Sequence, residues 1–263
     1  MKKIFYGFTF LISATMVMSS CNSSPKENKE GEAADTAAAA QASPQEDTTG
    51  WISLFNGQDF TGWRGYGKTE VPKAWSIEDG AIKINGSGEG EAGAKDGGDI
   101  IYDKKFKNFE LSFEWKVSKG GNSGVFYLAQ EVEGDPIWKS SPEYQVLDNA
   151  NHPDAKLGKD GNRQSASLYD LIPAKPQNSK PFGEWNTAGI MVYKGTVVHK
   201  QNGENVLEYH LWTDDWKKMI DESKFKGWTN FINAGGDAKE GYIGLQDHGD
   251  DVWYRNIKIK ILD

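Results

Sequence analysis

A small set of acidic, imidazole and guanidinium residues in this chain has the types and spacing for proton transfer on a polar substrate. The run Glu143-Tyr144-Gln145-Val146-Leu147-Asp148 places two carboxylic acids at the ends of a strand-like hexapeptide. Side chains at i and i+2 share a strand face, so Glu143 and Gln145 point together while Tyr144 and Val146 point into the packing. Asp148 falls on the opposite face unless a β-bulge shifts the register. With a bulge, the Glu143 and Asp148 carboxyls come onto one face, a pair able to serve as nucleophile and acid. Without one the run is a polar strand edge, and the pattern alone favours that reading. His248, in Gln246-Asp247-His248-Gly249, stands at a strand end beside a turn, and imidazoles there transfer protons or bind metal. Glu143, His248 and Asp148 are the groups here whose chemistry suits catalysis, and the wider motifs of the chain are what weigh for them.

Around them are residues suited to holding a substrate. Gln145 and Gln246 offer amides, and Arg163 and Arg255 offer rigid guanidinium forks for hydroxyls or a carbonyl oxygen. Asn122, in Gly121-Asn122-Ser123-Gly124, lies where small residues let a ligand approach the backbone. Trp138, flanked by Lys139, Ser140 and Ser141, reads as an exposed ring able to stack on a cyclic substrate, and His152 lies in a loop able to close over it. Glu143, Asp148, His152 and His248 also make an oxygen and nitrogen donor set for a divalent metal ion, although no H-E-x-x-H spacing supports it. No other cofactor is expected. His199 and His210 fall in hairpin strands and read as structural or solvent-facing.

The elements that must position these groups are short strands. Phe109 to Val117 alternates, with Phe109, Leu111, Phe113, Trp115 and Val117 on one face. Trp75 to Ile84 reads as two strands around Asp79-Gly80. Ser123 to Gln130, Glu143 to Leu147 and Ala166 to Ile172 are further strands. Trp185 to Trp212 reads as three strands joined at Lys194-Gly195 and Asn202-Gly203, the latter a strong type I′ signal. Tyr242 to Gln246 and Val252 to Ile261 read as a pair around His248-Gly249-Asp250, and Asp214 to Phe225 as the one short helix. About a dozen strands with so little helix predict an all-β fold. It is a two-sheet antiparallel sandwich of the concanavalin A-like jelly-roll type.

Composition narrows the partners. The 263-residue chain has a net charge of −8, so nucleic acid is excluded for want of a basic stripe. Its single cysteine, Cys21, rules out an internal disulfide. Residues 1–21 have the basic start and apolar middle of an export signal, ending in Met18-Ser19-Ser20-Cys21, which resembles a lipoprotein-processing box apart from Met18. Residues 22–49 have no aromatic residue and are expected to be a disordered tether, with the folded domain spanning 50–263. The expected location is the envelope of a Gram-negative-type bacterium, periplasmic or cell-surface, held to the membrane through the lipid anchor only.

Two resemblances follow from the motifs. The hexapeptide at 143–148 resembles the E-x-D-x-x-E strand of laminarinase- and lichenase-type glycosidases, with Gln145 and Asp148 departing from it. A broader one covers nearly all of 50–263. It comprises Trp51-Ile-Ser-Leu-Phe-Asn-Gly, Thr61-Gly-Trp, Phe109-Glu-Leu-Ser-Phe-Glu-Trp, Gly121-Asn-Ser-Gly, Glu143-Tyr-Gln-Val-Leu-Asp-Asn, Gly183-Glu-Trp-Asn, Gly244-Leu-Gln-Asp-His-Gly and Arg255-Asn-Ile-Lys. This set resembles the 3-keto-disaccharide hydrolase family, also described as 3-keto-glucoside 1,2-lyase or 3-keto-2-hydroxy-glucal hydratase. The resemblance implies action on glycosides oxidised at C3, by C2 proton abstraction, C1 elimination and hydration. It also implies a separate oxidoreductase that supplies the keto sugar. The alternatives are a conventional retaining glycosidase using Glu143 and Asp148, a non-catalytic carbohydrate-binding module, and a structural surface protein.

Overall fold

The computed structural model describes residues 47–88 and 93–263. The expected signal segment, Cys21 and residues 22–46 of the expected tether lie outside the described residues.

Two antiparallel sheets stack in a jelly-roll sandwich. Numbered along the chain, the larger sheet runs β11 (Glu204–His210), β10 (Thr196–Gln201), β9 (Asn186–Tyr193), β6 (Phe109–Val117), β13 (Val252–Ile261), β4 (Ala81–Ile84), β3 (Trp75–Glu78), with β1 (Trp51–Ser53) also paired to β13. The smaller sheet runs β2 (Trp63–Gly65), β5 (Ile100–Tyr102), β12 (Tyr242–Leu245), β7 (Asn122–Ala129), β8 (Glu143–Leu147). Sequence patterning explains the facing surfaces. In β6 every second side chain is buried, from Phe109 to Val117, and these meet Val125, Tyr127, Tyr144 and Val146 of the smaller sheet in one core. Each large apolar side chain buried this way contributes about 1.5–3 kcal/mol. The turns at Lys194-Gly195 and Asn202-Gly203 have φ of 49° and 88°, and 46° and 88°, the left-handed pairs that a type I′ hairpin requires.

Three expectations need correction. The strands β12 and β13 are not a hairpin: the turn between them carries the chain from the smaller sheet to the larger, and this leaves His248 at a sheet end. Residues 166–172 form no continuous strand, although the segment runs along β8: the Ala166 N–H donates to the Gln145 carbonyl at 2.8 Å, the Gln145 N–H to the Ser167 carbonyl at 3.2 Å and the Tyr169 N–H to the Glu143 carbonyl at 3.1 Å, with Leu168 bridged to Tyr144. The expected helix at 214–225 stops earlier, as α1 (Asp214–Asp221), capped by Thr213 whose hydroxyl accepts from the Trp216 N–H at 3.1 Å, and a second, α2 (Thr229–Ile232), follows it. The intervening chain brings Phe225 and Trp228 beside the smaller sheet.

His199 and His210 behave as their strand positions suggest. His199 is buried between the Tyr127 hydroxyl and the Ala166 carbonyl, each at 2.8 Å, and burial holds its pKa down at about 4, so the ring is neutral. His210 is exposed and contacts Thr196.

Candidate functional site

The smaller sheet turns one face to the core and the other to a cavity of about 490 Å³. Strand alternation decides which residues reach that cavity. β8 pairs with β7 without any register shift, Gly124 opposite Gln145 and Phe126 opposite Glu143. Glu143 and Gln145 therefore share the outer face, and Tyr144 and Val146 are in the core. Gly124 has no Cβ because the Glu143 carboxyl occupies that space, and a methyl group there would collide with it. One row further across, the Gln246 N–H donates to the Gly124 carbonyl at 2.9 Å, just past the end of β12. Beyond that, Asp99 precedes β5, and its Oδ1 accepts the Asp247 N–H at 2.9 Å. Asp99, Gln246, Gly124 and Gln145 thus form a row across four adjacent strands, with Glu143 and Asn122 to either side.

Electrostatics single out two members of this row. Burial drives the Glu143 carboxyl up to about 8, with the nearby acids Asp99 and Asp154 adding to the rise and Lys224 opposing it. Asp99 is pushed up to about 7, again chiefly by burial, with the Asp247 N–H opposing the rise. Part of its surface remains open to the cavity. Burial thus favours the protonated form of both carboxyls, more firmly at Glu143, whose affinity for the proton the Asp99 charge raises further. His248 lines the same cavity. Its Nε2 lies 3.2 Å from the Asn122 amide, and its Nδ1 is buried without a partner among the described residues. The side-chain oxygens of Asn122, Gln145 and Gln246 are likewise buried and unpartnered there. Native structures rarely leave such atoms unsatisfied, so four of them around one cavity mark a place where a polar ligand can bind.

The opposite wall is aromatic. Trp138, 40% exposed, lies with its ring centroid 5.2 Å from that of Trp228, which packs on Phe225 at 5.1 Å. Arg163 lines the cavity but is committed: its Nε and Nη2 donate to Asp170 at 2.6 and 3.1 Å and its Nη1 to Asp154 at 2.7 Å. It acts as a strut for the 148–172 loop. Lys224, paired with Asp170 at 3.1 Å, is the cation facing the Glu143 side of the cavity.

Two sequence candidates do not belong here. Without a bulge in β8, Asp148 turns away, and its carboxylate accepts from the Gly120 N–H at 2.8 Å, the Ala150 N–H at 3.1 Å and the Asn151 amide at 2.7 Å. It ties down the loop rather than facing substrate, so the Glu143–Asp148 pair of a retaining glycosidase is not formed. Arg255 lies on β13 in the other sheet, bonded to Glu114 at 2.8 Å and stacked over Trp185 at 4.0 Å. Such a half-exposed pair is worth about 0–1 kcal/mol, so Arg255→Ala should leave kcat/KM within about twofold of the parent, as initial rates would show. His152 is not in the cavity wall but lies beside His248, ring centroids 6.1 Å apart. Glu143 and Asp148 fall outside the cluster that could hold a metal, which instead joins His152 and His248 to Asp250.

Asp99, Asp250, Lys224 and Trp228 were missed from sequence. Asp99 lies in Gly97-Gly98-Asp99-Ile100, and nothing in that run signals a site. Its place depends on sheet order, and on Asp247 binding the Ala94 and Gly98 N–H groups at 2.9 and 2.7 Å.

Residues 50–260 match the family described as the 3-keto-alpha-glucoside-1,2-lyase-like domain. A protein of Bacteroides thetaiotaomicron described as 3-keto-disaccharide hydrolase is 56% identical over 100% of both chains. Among solved structures, a glycosyl hydrolase candidate from Parabacteroides distasonis is 31% identical with a TM-score of 0.70, covering 82% of this chain and 95% of that one. A second from the same organism is 26% identical with a TM-score of 0.61, covering 81% and 99%.

Proposed function

Since this chain belongs to the 3-keto-alpha-glucoside-1,2-lyase-like family, we propose that it hydrolyses 3-keto-disaccharides by elimination at C1 followed by hydration. The observation that carries this reading is the pair of enclosed carboxyls, Asp99 and Glu143, with their proton affinities raised to about 7 and about 8 in one cavity. A ketone at C3 acidifies the C2 hydrogen, so the task is proton transfer, and groups poised near the working pH do it best. The group with the lower pKa serves as base and the other as acid.

Asp99 takes the C2 proton and the electron pair moves into the enolate. The C1–O bond then breaks, its pair leaving with the departing oxygen, which Glu143 protonates. The product is a 2-hydroxy-glucal ketone, with Asp99 protonated and Glu143 ionised. In the second half Glu143 takes a proton from water as the oxygen adds to C1, and Asp99, its acidic proton exchanged with solvent in the interval, protonates C2. Both carboxyls end as they began. Lys224 steadies the ionised Glu143, while the unpartnered oxygens of Gln145 and Gln246 accept sugar hydroxyls, and the His248 edge of the cavity takes the C3 oxygen.

The reaction is redox-neutral, so a separate oxidoreductase must make the C3 ketone. On this reading the enzyme works in the cell envelope of a Gram-negative-type bacterium, periplasmic or on the cell surface, tethered through a lipid on Cys21. The Trp138–Trp228 wall stacks on the departing sugar. Trp138→Ala should raise KM about two- to tenfold, the worth of one stacked ring, with kcat changed less than KM in steady-state rates.

The test compares a disaccharide with its 3-keto form in deuterated water. Cleavage of the keto sugar alone, with deuterium entering C2, is expected. Equal cleavage of the unmodified sugar, or no deuterium at C2, would overturn the mechanism.

A further inference from the structure

The cluster beside the cavity calls for a ligand that a sugar does not supply. His152, in the loop after β8, and His248 and Asp250, in the crossing between the two sheets, bring one ligand atom each to within 4.8 Å of one another. The imidazole planes stand at 81° to one another, so the two rings approach the space between them from different directions. Asn122 stands between the contributors: its N–H donates to Asp250 Oδ2 at 3.1 Å, and its amide lies against His248. Asn122 is only 3% exposed, yet its Oδ1 has no partner among the described residues, nor has the buried Nδ1 of His248. Two such orphans beside a ready-made donor set point to an occupant with positive charge and coordinating capacity, a bound ion together with its water. Charge balance agrees. Half-buried Asp250 pairs with no Lys or Arg among the described residues, and only His248 and His152 offset its charge.

We propose that His152, His248 and Asp250 form a divalent transition-metal site at the rim of the cavity. Two imidazoles and one carboxylate suit Mn²⁺, Fe²⁺, Co²⁺ or Zn²⁺ rather than Ca²⁺, and leave coordination positions open. Resting on the keto-sugar reading, the ion acts as the Lewis acid that polarises the C3 oxygen from the His248 side while the carboxyl pair moves protons. His152 already caps the turn at Pro153–Lys156 through Nδ1, which accepts the Asp154 N–H at 3.1 Å and fixes the ring.

The experiment strips the purified protein with a chelator and titrates it calorimetrically with Mn²⁺, Co²⁺ and Zn²⁺. One equivalent is expected to bind, and the Co²⁺ form is expected to show ligand-field bands of a nitrogen and oxygen donor set. His152→Ala and Asp250→Asn should each weaken binding by at least about tenfold, and exposed His210→Ala should not change it. Undiminished binding in both variants overturns the site, as does the absence of stoichiometric binding in stripped protein that melts like the untreated one. Loss of keto-sugar turnover on stripping, restored by the ion, supports its role. Binding at these residues with no keto-sugar turnover counts against the reaction and leaves the site standing.

Discussion

Glu143→Gln should lower turnover of a 3-keto-disaccharide by about 10²- to 10⁴-fold, the usual worth of a positioned proton-transfer group. It should also make the protein harder to unfold. The glutamine amide keeps the shape that Gly124 makes room for, but it neither delivers nor receives a proton. The stability gain follows from burial. In the unfolded chain Glu143 ionises near its ordinary value of 4.5, whereas in the fold it holds its proton up to about 8. Between those values the folded state binds more protons, so the parent loses stability as pH rises. Glutamine does not titrate, so the rise in Tm of the variant over the parent should grow from pH 5 to pH 8. Calorimetric melts across that range, beside initial rates, read both effects. Wild-type turnover in the variant would remove Glu143 from the chemistry.

The second large effect concerns Asp99 and the pH profile. With Asp99 as base near 7 and Glu143 as acid near 8, kcat/KM should be bell-shaped with its maximum between them. Below about 7 Asp99 gains a proton and no base remains. Above about 8 Glu143 loses its proton and the leaving oxygen goes unprotonated. Asp99→Asn should cost about 10²- to 10⁴-fold and erase the acidic limb, leaving a residual rate that falls only on the alkaline side. A variant that keeps both limbs would show that the acidic limb belongs to another group. Because its N–H contact from Asp247 is kept by an asparagine oxygen, loss of rate in this variant should come without loss of fold.

What the sequence disclosed and what it hid divide along a physical line. Alternation within one strand is local, so Glu-Tyr-Gln-Val-Leu announced that Glu143 and Gln145 share a face opposed to Tyr144 and Val146. The Asn202-Gly203 turn was readable for the same reason, since two left-handed residues carry their own signal. Strand order across a sheet is not local. Asp99 joins Glu143 only because β5 lies next to β12 and β12 next to β7, an order no short window contains. Arg255 was misplaced by the same ignorance: two runs either side of a His-Gly-Asp turn look like a hairpin, and here they belong to different sheets. Asp148 failed on a single backbone detail, the absence of a bulge that nothing in six residues requires or forbids. The acid that stands beside His152 and His248 is Asp250, two residues beyond His248, rather than Glu143 or Asp148, because the crossing between the sheets folds back on the loop after β8.

The two-faced character of β7 and β8 has a consequence for how this enzyme can evolve. Point substitutions on the cavity face can tune chemistry one residue at a time, because each neighbour along the strand faces the core. Loss or gain of one codon within β8 is different in kind. It would shift the register on one side of the change, so that cavity-facing Glu143 or Gln145 is carried inward and core-facing Tyr144 or Val146 is carried outward in a single event. Length variation in relatives of this protein should accordingly be confined to the connecting segments, and a frame-preserving indel in β8 should be lethal to activity and folding together.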